Sequence, residues 1–223
     1  MRHFDADATR AALPFDALIP ALRALFARGC TVPPRQVHQV PGAAGTDGGF
    51  TSLVMPAWLD GVCYGVKIVN VAPHNAARGL PGLHATYQLF DAATGVPLAL
   101  LDGDQITARR TAAASALAAS WLARADARHL LLVGAGQVAR LLPAAYRVVR
   151  PISRVTVWTR RPAAAQALAE ALRADGFDAA AATDLPAAVA AADVVSCATL
   201  ATAPLVQGAW LRPGSHLDLI GSF

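Results

Sequence analysis

Lysine is almost missing from this 223-residue chain: nineteen residues are basic, and only Lys67 among them is not arginine. Cysteine is scarce as well. Cys30, Cys63 and Cys197 are odd in number and show neither disulfide nor metal-ligand spacing, which excludes a disulfide framework and a zinc site and leaves them to be read as small core residues. Charged residues make up 15% of the chain against 55% hydrophobic, enough apolar surface to bury the core of one large domain or two small ones. No apolar run reaches transmembrane length, and Met1 to Asp7 lack the charged, apolar and small order of a signal peptide, so a cytoplasmic protein without a membrane partner is expected. The net charge of +4 and pI near 9.4 come from scattered arginines with no basic stretch interleaved with aromatics, so no nucleic-acid partner is expected. Internal repeats are absent too.

What is present begins with that one lysine. Lys67 lies within the apolar run Gly61 to Val69, in a chain that otherwise supplies positive charge as guanidinium. An ammonium is a compact point charge with three rotatable donors, and burial can move its pKa until it exchanges protons, which a guanidinium does not do. A functional site is the first reading. The alternative is a lysine that reaches to water from an edge strand.

Two textures follow one another along the chain. Phe15 to Phe26 carries apolar residues at helical spacing with Pro20 inside and Gly29 closing it. From Arg35 to Asp102, short runs at 36–40, 51–55, 62–69, 85–90 and 96–101 alternate with turns rich in glycine, proline and asparagine, which predicts a mostly antiparallel sheet. A long alanine-rich helix after Asp104 leads into a βαβ pattern. Strands are predicted at 130–133, 155–158, 177–180, 194–197 and 215–220, with helices at 137–148, 163–174 and 185–191 between the first four. The expected class is α/β: a Rossmann-type parallel-sheet domain over 113–223, preceded by an α+β domain with a mostly antiparallel sheet over 1–112.

Gly134-Ala135-Gly136-Gln137-Val138-Ala139 follows the strand at 130–133 directly and opens a helix, the position a dinucleotide fingerprint requires. Gly134 permits the tight turn, Gly136 lets the backbone approach a pyrophosphate, and Ala139 lets the helix pack closely on the sheet. The helix N-terminus adds donors and a positive dipole. The second strand ends in Thr159-Arg160-Arg161-Pro162, with no carboxylate to take a ribose 2′-hydroxyl and two guanidiniums suited to a 2′-phosphate. NADPH is therefore the expected cofactor, with NADH possible; a plain solvated turn is the alternative reading of the two arginines.

Three segments together resemble a known family. They are Val66 to Asn70 with Asn75 to Gly82, then Asp102-Gly103 with Ile106 to Ser115 carrying Arg110-Thr111-Ala112-Ala113-Ala114-Ser115, then the glycine fingerprint with Ser215 to Ser222. The chain is similar over nearly its whole length to the ornithine cyclodeaminase and μ-crystallin family, and within it to the bacterial Δ1-pyrroline-2-carboxylate reductases. The resemblance implies a substrate carboxylate held by Arg35, Lys67 and Arg110 where the antiparallel domain faces the Rossmann domain, with Thr111 near the cofactor phosphates. Ala198, Thr199 and Gly221, after the last two strands, complete the expected cofactor contacts. Arg78, Arg109 and His84 are weaker candidates. The cyclodeaminases carry an aspartate where this chain reads Gly221-Ser222-Phe223, which argues for imine reduction over deamination.

What the resemblance implies is NADPH-dependent reduction of a cyclic ketimine carboxylate, Δ1-pyrroline-2-carboxylate or its six-membered analogue, to L-proline or L-pipecolate by a homodimer. Ornithine cyclodeaminase chemistry with bound NAD, and a non-catalytic crystallin-like NADPH-binding protein, are the alternatives. The family also continues past this point, so the chain is expected to be a fragment lacking the C-terminal part of the family fold.

Overall fold

The computed structural model describes residues 1–43, 48–199 and 201–221. Its contacts divide the chain into two compact units, Met1–Pro14 with Arg23–Thr107, and Phe15–Leu22 with Ala108–Phe223. The division thus falls inside a helix, between Thr107 and Ala108. Residues 15–22 belong to the second unit, although they precede most of the first in the chain.

The first unit is a six-stranded sheet in the order β1-β6-β5-β4-β3-β2. Its strands are β1 (Arg2–Phe4), β2 (Gln36–Pro41), β3 (Gly49–Leu59), β4 (Cys63–Val71), β5 (Leu83–Asp91) and β6 (Pro97–Asp102). All neighbours pair antiparallel except β1, which joins the β6 edge in parallel. β1 and the short helix α1 (Ala6–Ala12) that follows it were not read from the sequence. Both are short, and what holds them is a buried tertiary clip: the Thr9 hydroxyl donates to the Phe4 carbonyl at 3.2 Å and accepts the Asp102 N–H at 3.2 Å. Asp5 caps α1 by accepting the Ala8 N–H at 2.8 Å.

Two helices are shared between the units. α2 (Phe15–Arg28) ends at Gly29, whose φ of +80° and N–H to the Leu25 carbonyl give the glycine stop expected there. α3 (Gly103–Leu122) starts under Asp102, whose carboxylate accepts the Gln105 N–H at 2.7 Å. At Gly103 a Cβ would lie 2.5 Å from backbone atoms of Ala85 and Thr86, so this position is closed to any side chain and the helix begins hard against β5.

The second unit is a five-stranded parallel sheet in the order β11-β10-β7-β8-β9. It comprises β7 (His129–Val133), α4 (Gln137–Val149), β8 (Arg154–Trp158), α5 (Pro162–Ala174), β9 (Asp178–Ala181), α6 (Leu185–Ala191), β10 (Val194–Cys197) and β11 (His216–Asp218). Leu130 to Val133 are wholly inaccessible, as a central parallel strand covered on both faces requires, which is why its apolar run is continuous and not alternating. One face of this sheet packs with Tyr146, Leu142 and Ala139 of α4, Leu168 and Leu172 of α5, the alanines of α3, and Phe15 and Ile19 of α2. The other packs with Leu185, Ala188 and Val189 of α6.

The cysteines correct the sequence reading in part. Cys197 is buried, Cys63 half-buried and Cys30 exposed, because Cys30 falls just beyond the end of α2 and not on a packed face.

Candidate functional site

In the first unit, β4 lies between β3 and β5, so Lys67 stands on a central strand and is 9% exposed; it is not an edge lysine reaching to water. Residues directly opposite in an antiparallel pair share a face. Met55 and Tyr87 are the register partners of Lys67, and Gly65 and Val69 flank it on the same face of β4. Its Nζ donates to the Thr107 hydroxyl oxygen at 3.3 Å.

Gly65 is small for a reason, since a Cβ there would lie 2.0 Å from the Tyr87 hydroxyl, which leans over it. Burial pushes the Tyr87 phenol above its usual range, with the Cys63 thiol adding to the shift. Asp104 is raised too, first by burial and then by Asp102, although its carboxylate accepts the Ala85 N–H.

Arg35 is exposed and stands one residue before β2. Gln36 pairs with Val54, so the next step of the ladder falls at Met55, the partner of Lys67. Two strand spacings put the Arg35 and Lys67 backbones roughly 10 Å apart, within reach of two long side chains sharing one small anion. Arg78 and His84 are exposed, on a 3-10 turn and on β5.

Arg110 belongs to the second unit. It is exposed on α3, while the adjacent Arg109 is 8% exposed with its guanidinium 4.4 Å from the centre of the Phe15 ring. Helical spacing turns these neighbours about 100° apart, so one is spent on packing and the other is presented to solvent. Thr111 is half-buried beside them.

All five strands of the second unit run parallel, so the residues that follow them gather at one edge of the sheet. β7 has β8 on one side and β10 on the other, the place where an open α/β sheet reverses its winding and binds ligands. Gly134 closes the turn after β7 with φ +119°, and its N–H donates to the Trp158 carbonyl at 2.8 Å. A Cβ on Gly134 would lie 2.4 Å from the Ala198 carbonyl oxygen, and one on Gly221 would lie 2.5 Å from that of Thr199. Gly134, Ala198, Thr199 and Gly221 therefore meet backbone to backbone.

Gly136 differs. It is the exposed N-cap of α4, and a Cβ there meets nothing within 4 Å. Ala135 and Val138 are half-buried beside it, Gln137 is exposed, and Ala139 is fully buried against the sheet. Open space at a glycine, at the start of a thirteen-residue helix, suits a phosphate approaching the backbone N–H groups. At the end of β8, Thr159 is half-buried, Arg160 and Arg161 are exposed, and Arg161 is the N-cap of α5. The residues present fit a dinucleotide.

Beneath this edge lies a network the sequence reading missed. Asp218 Oδ2 accepts from the Ser115 hydroxyl, from Tyr146 Oη at 3.1 Å and from Ser196 Oγ at 2.6 Å, so β11, β10, α3 and α4 are tied through one carboxylate oxygen. Burial, with Asp218 beside it, pushes the Tyr146 phenol well up and the Cys197 thiol to about 11, so neither ionises near neutrality. Ser222 and Phe223, on which the argument against deamination rested, lie outside the described residues. Among the described residues no group of histidine, cysteine and carboxylate side chains could hold a metal ion, and no helix is long and apolar enough to cross a membrane.

A parallel sheet of this order, with a glycine turn after its central strand and preceded by an antiparallel sheet carrying one buried lysine, defines a Rossmann-type two-unit α/β protein. The chain belongs to the ornithine cyclodeaminase/mu-crystallin family, whose pattern matches residues 15–222. It is 48% identical over 197 residues to the Δ1-pyrroline-2-carboxylate reductase of Paracoccus denitrificans, covering 88% of this chain and 61% of that one. A Colwellia psychrerythraea protein of the same name is 36% identical, with 100% and 71% covered.

Among solved structures, the Thermococcus litoralis Δ1-pyrroline-2-carboxylate reductase in complex with NADH and L-proline superposes with a TM-score of 0.84 at 32% identity, covering 97% of this chain and 68% of that one. An archaeal alanine dehydrogenase dimer with bound NAD gives 0.81 at 27% identity, with 97% and 66% covered. The chain thus spans about three fifths of the length of the Paracoccus relative, 61%.

Proposed function

We propose that this chain belongs to an oxidoreductase that reduces the C=N bond of a cyclic ketimine carboxylate, Δ1-pyrroline-2-carboxylate or its six-membered analogue, to L-proline or L-pipecolate. The observation that carries the reading is the buried Lys67 ammonium on a central strand, in a chain 48% identical to a reductase of that name. Arg35 and Arg110 bind the substrate carboxylate through charge-assisted hydrogen bonds, and Lys67 completes that clamp. Lys67 also holds a proton at the ring nitrogen, since an iminium carbon accepts a hydride more readily than a neutral imine. Clamping the acid fixes the ring in a near-attack position, replacing a bimolecular encounter with an oriented one.

A bound nicotinamide cofactor supplies the hydride. Gly134 to Val138 and the N-terminus of α4 hold its pyrophosphate, with Thr111, Ala198, Thr199 and Gly221 around it. Arg160 and Arg161 favour NADPH, because the end of β8 offers two exposed guanidiniums and no carboxylate; the Thermococcus relative was solved with NADH. Replacing both arginines with alanine is expected to raise the KM for NADPH well above that for NADH.

A homodimer is proposed through the sheet face opposite Lys67. There Trp58, Tyr64 and Phe90 form a ring cluster with centroid distances of 6.3 and 5.4 Å, and Ile68 is 40% exposed. The alanine dehydrogenase of the same fold is described as a dimer.

The test is cofactor oxidation with each cyclic imine, by this chain and by a form extended to the length of its relatives. Lys67→Met is expected to abolish turnover while NADPH still binds; retained turnover refutes the role of Lys67. Ammonia released from ornithine without net NADPH oxidation would establish a lyase instead.

A further inference from the structure

We infer that Thr107 is the positioning residue of Lys67: its hydroxyl oxygen, 3.3 Å from Nζ, sets where the ammonium stands before a substrate nitrogen. This rests on the reading of Lys67 given above and adds a residue to it.

A lysine ends a stem of four freely rotating carbons, so burial alone does not decide where its charge sits. The immediate neighbours of Lys67 on its sheet face carry no charge. Its register partners are Met55 and Tyr87, and its neighbours along the strand face are Gly65 and Val69. The titratable group facing it from β5 is the Tyr87 phenol. On α3 the nearest preceding acid is Asp104, one turn before Thr107; one oxygen of its carboxylate accepts the Ala85 N–H, and Oδ1 is buried without a hydrogen-bond partner.

Thr107 is suited to the task in two ways. Threonine is β-branched and stiff at χ1 within a helix, so its oxygen is held in one of two places, and a hydroxyl accepts from an ammonium while sending its own proton elsewhere. The turn that carries it is anchored as well. Asp102 caps α3 through the Gln105 N–H at 2.7 Å, Thr9 holds the Asp102 N–H, and the backbone of Gly103 lies too close to Ala85 and Thr86 for any Cβ. The acceptor is thereby fixed to β5, the strand next to that of Lys67, and its geometry is set before substrate arrives. Supporting shells of this kind decide whether a charged group is merely present or correctly placed.

Thr107→Val keeps the shape and removes the acceptor, and Thr107→Ser restores the hydroxyl. Because Lys67 is the only lysine, isotope-labelled lysine gives one side-chain resonance that needs no assignment and no turnover. In Thr107→Val we expect that resonance to move and its titration midpoint to fall, with kcat reduced about ten- to a hundredfold and KM changed less, as for a lost hydrogen bond to a charged group. Thr107→Ser is expected to recover most of both. If valine is not tolerated, Thr107→Ala carries the same comparison.

An unmoved resonance with wild-type kcat in Thr107→Val, alongside an inactive Lys67→Met, overturns the positioning role alone. Turnover retained in Lys67→Met overturns the reading of Lys67 and the positioning role with it.

Discussion

Gly134 and Gly136 are two residues apart in one turn, yet alanine at each should fail in opposite ways. At Gly134 φ is +119°, a region that L-residues avoid, and the added Cβ would meet the Ala198 carbonyl oxygen at 2.4 Å. Both obstacles are backbone, so neither a side-chain rotation nor a small shift relieves them. Backbone strain of about 1–3 kcal/mol and overpacking of about 1–3 kcal/mol add to roughly 2–6 kcal/mol of lost stability. At about 2–4 °C per kcal/mol for a chain of this size, Tm should fall by roughly 4–24 °C.

Gly136 has φ −84°, and a Cβ there meets nothing within 4 Å, so Gly136→Ala gives up only the N-cap preference for glycine over alanine, about 0.5–1.5 kcal/mol, and should lower Tm by roughly 1–6 °C. Its methyl group would occupy the space through which a pyrophosphate approaches the α4 N-terminus. Losing one charge-assisted hydrogen bond, worth about 1.5–3 kcal/mol, weakens cofactor binding roughly ten- to 150-fold. Thermal melts and fluorescence titration with NADPH and NADH, run on both variants, separate the two effects. Wild-type cofactor affinity in a folded Gly136→Ala protein would refute the placement of the phosphates. An undiminished Tm in Gly134→Ala would refute the strain argument.

Asp193 accepts the backbone N–H groups of Arg128 and His129 at 2.9 Å each and pairs with Arg124 at 2.9 Å and with Arg212, so Asp193→Ala should cost about 2–4 kcal/mol, read as a fall in urea midpoint, with Asn recovering part. Acid should weaken the fold in two steps. Burial holds His129 and His216 below the usual imidazole range, so below about pH 6.5 the unfolded chain binds protons that the folded one refuses, and stability rises with pH through that window. Asp193 is also lowered: its backbone hydrogen bonds and arginines outweigh the opposing effect of burial, which adds a second loss as pH falls below about 3.8. Urea midpoints that stay flat from pH 5 to 7 would refute the histidine step. Asp218→Ala should leave three hydroxyls without their shared acceptor and lower Tm by roughly 4–12 °C, whereas Tyr146→Phe, which removes one donor, should cost about a third as much.

The parallel sheet was legible because its information is local. A strand buried on both faces must be apolar throughout, and Leu130 to Val133 is so; Asp184, whose carboxylate accepts the Ala187 N–H at 3.0 Å, starts α6 where its periodicity begins. β1 and α1 escaped notice because three and seven residues carry too little periodicity, and their hold comes from Thr9 reaching Asp102, ninety-three positions away. The limit is the same at the candidate site. That Lys67 stands apart was legible from its isolation in composition, but whether its strand is central or at an edge depends on which strands pair, a question of topology.

Arg109 and Arg110 look alike by composition, and in the fold a phenylalanine ninety-four positions earlier takes the Arg109 guanidinium onto its ring. The hydroxyls on Asp218 come from positions 115, 146 and 196, with no spacing to announce them. The same reasoning explains why Thr107 was passed over. Near the start of an alanine-rich helix a threonine is ordinarily unremarked, and it acquires meaning only when the helix start is seated against β5 and its oxygen meets the chain's single lysine. Residues that touch a ligand announce themselves by chemical type, whereas those that hold them in place are ordinary in type and particular only in position.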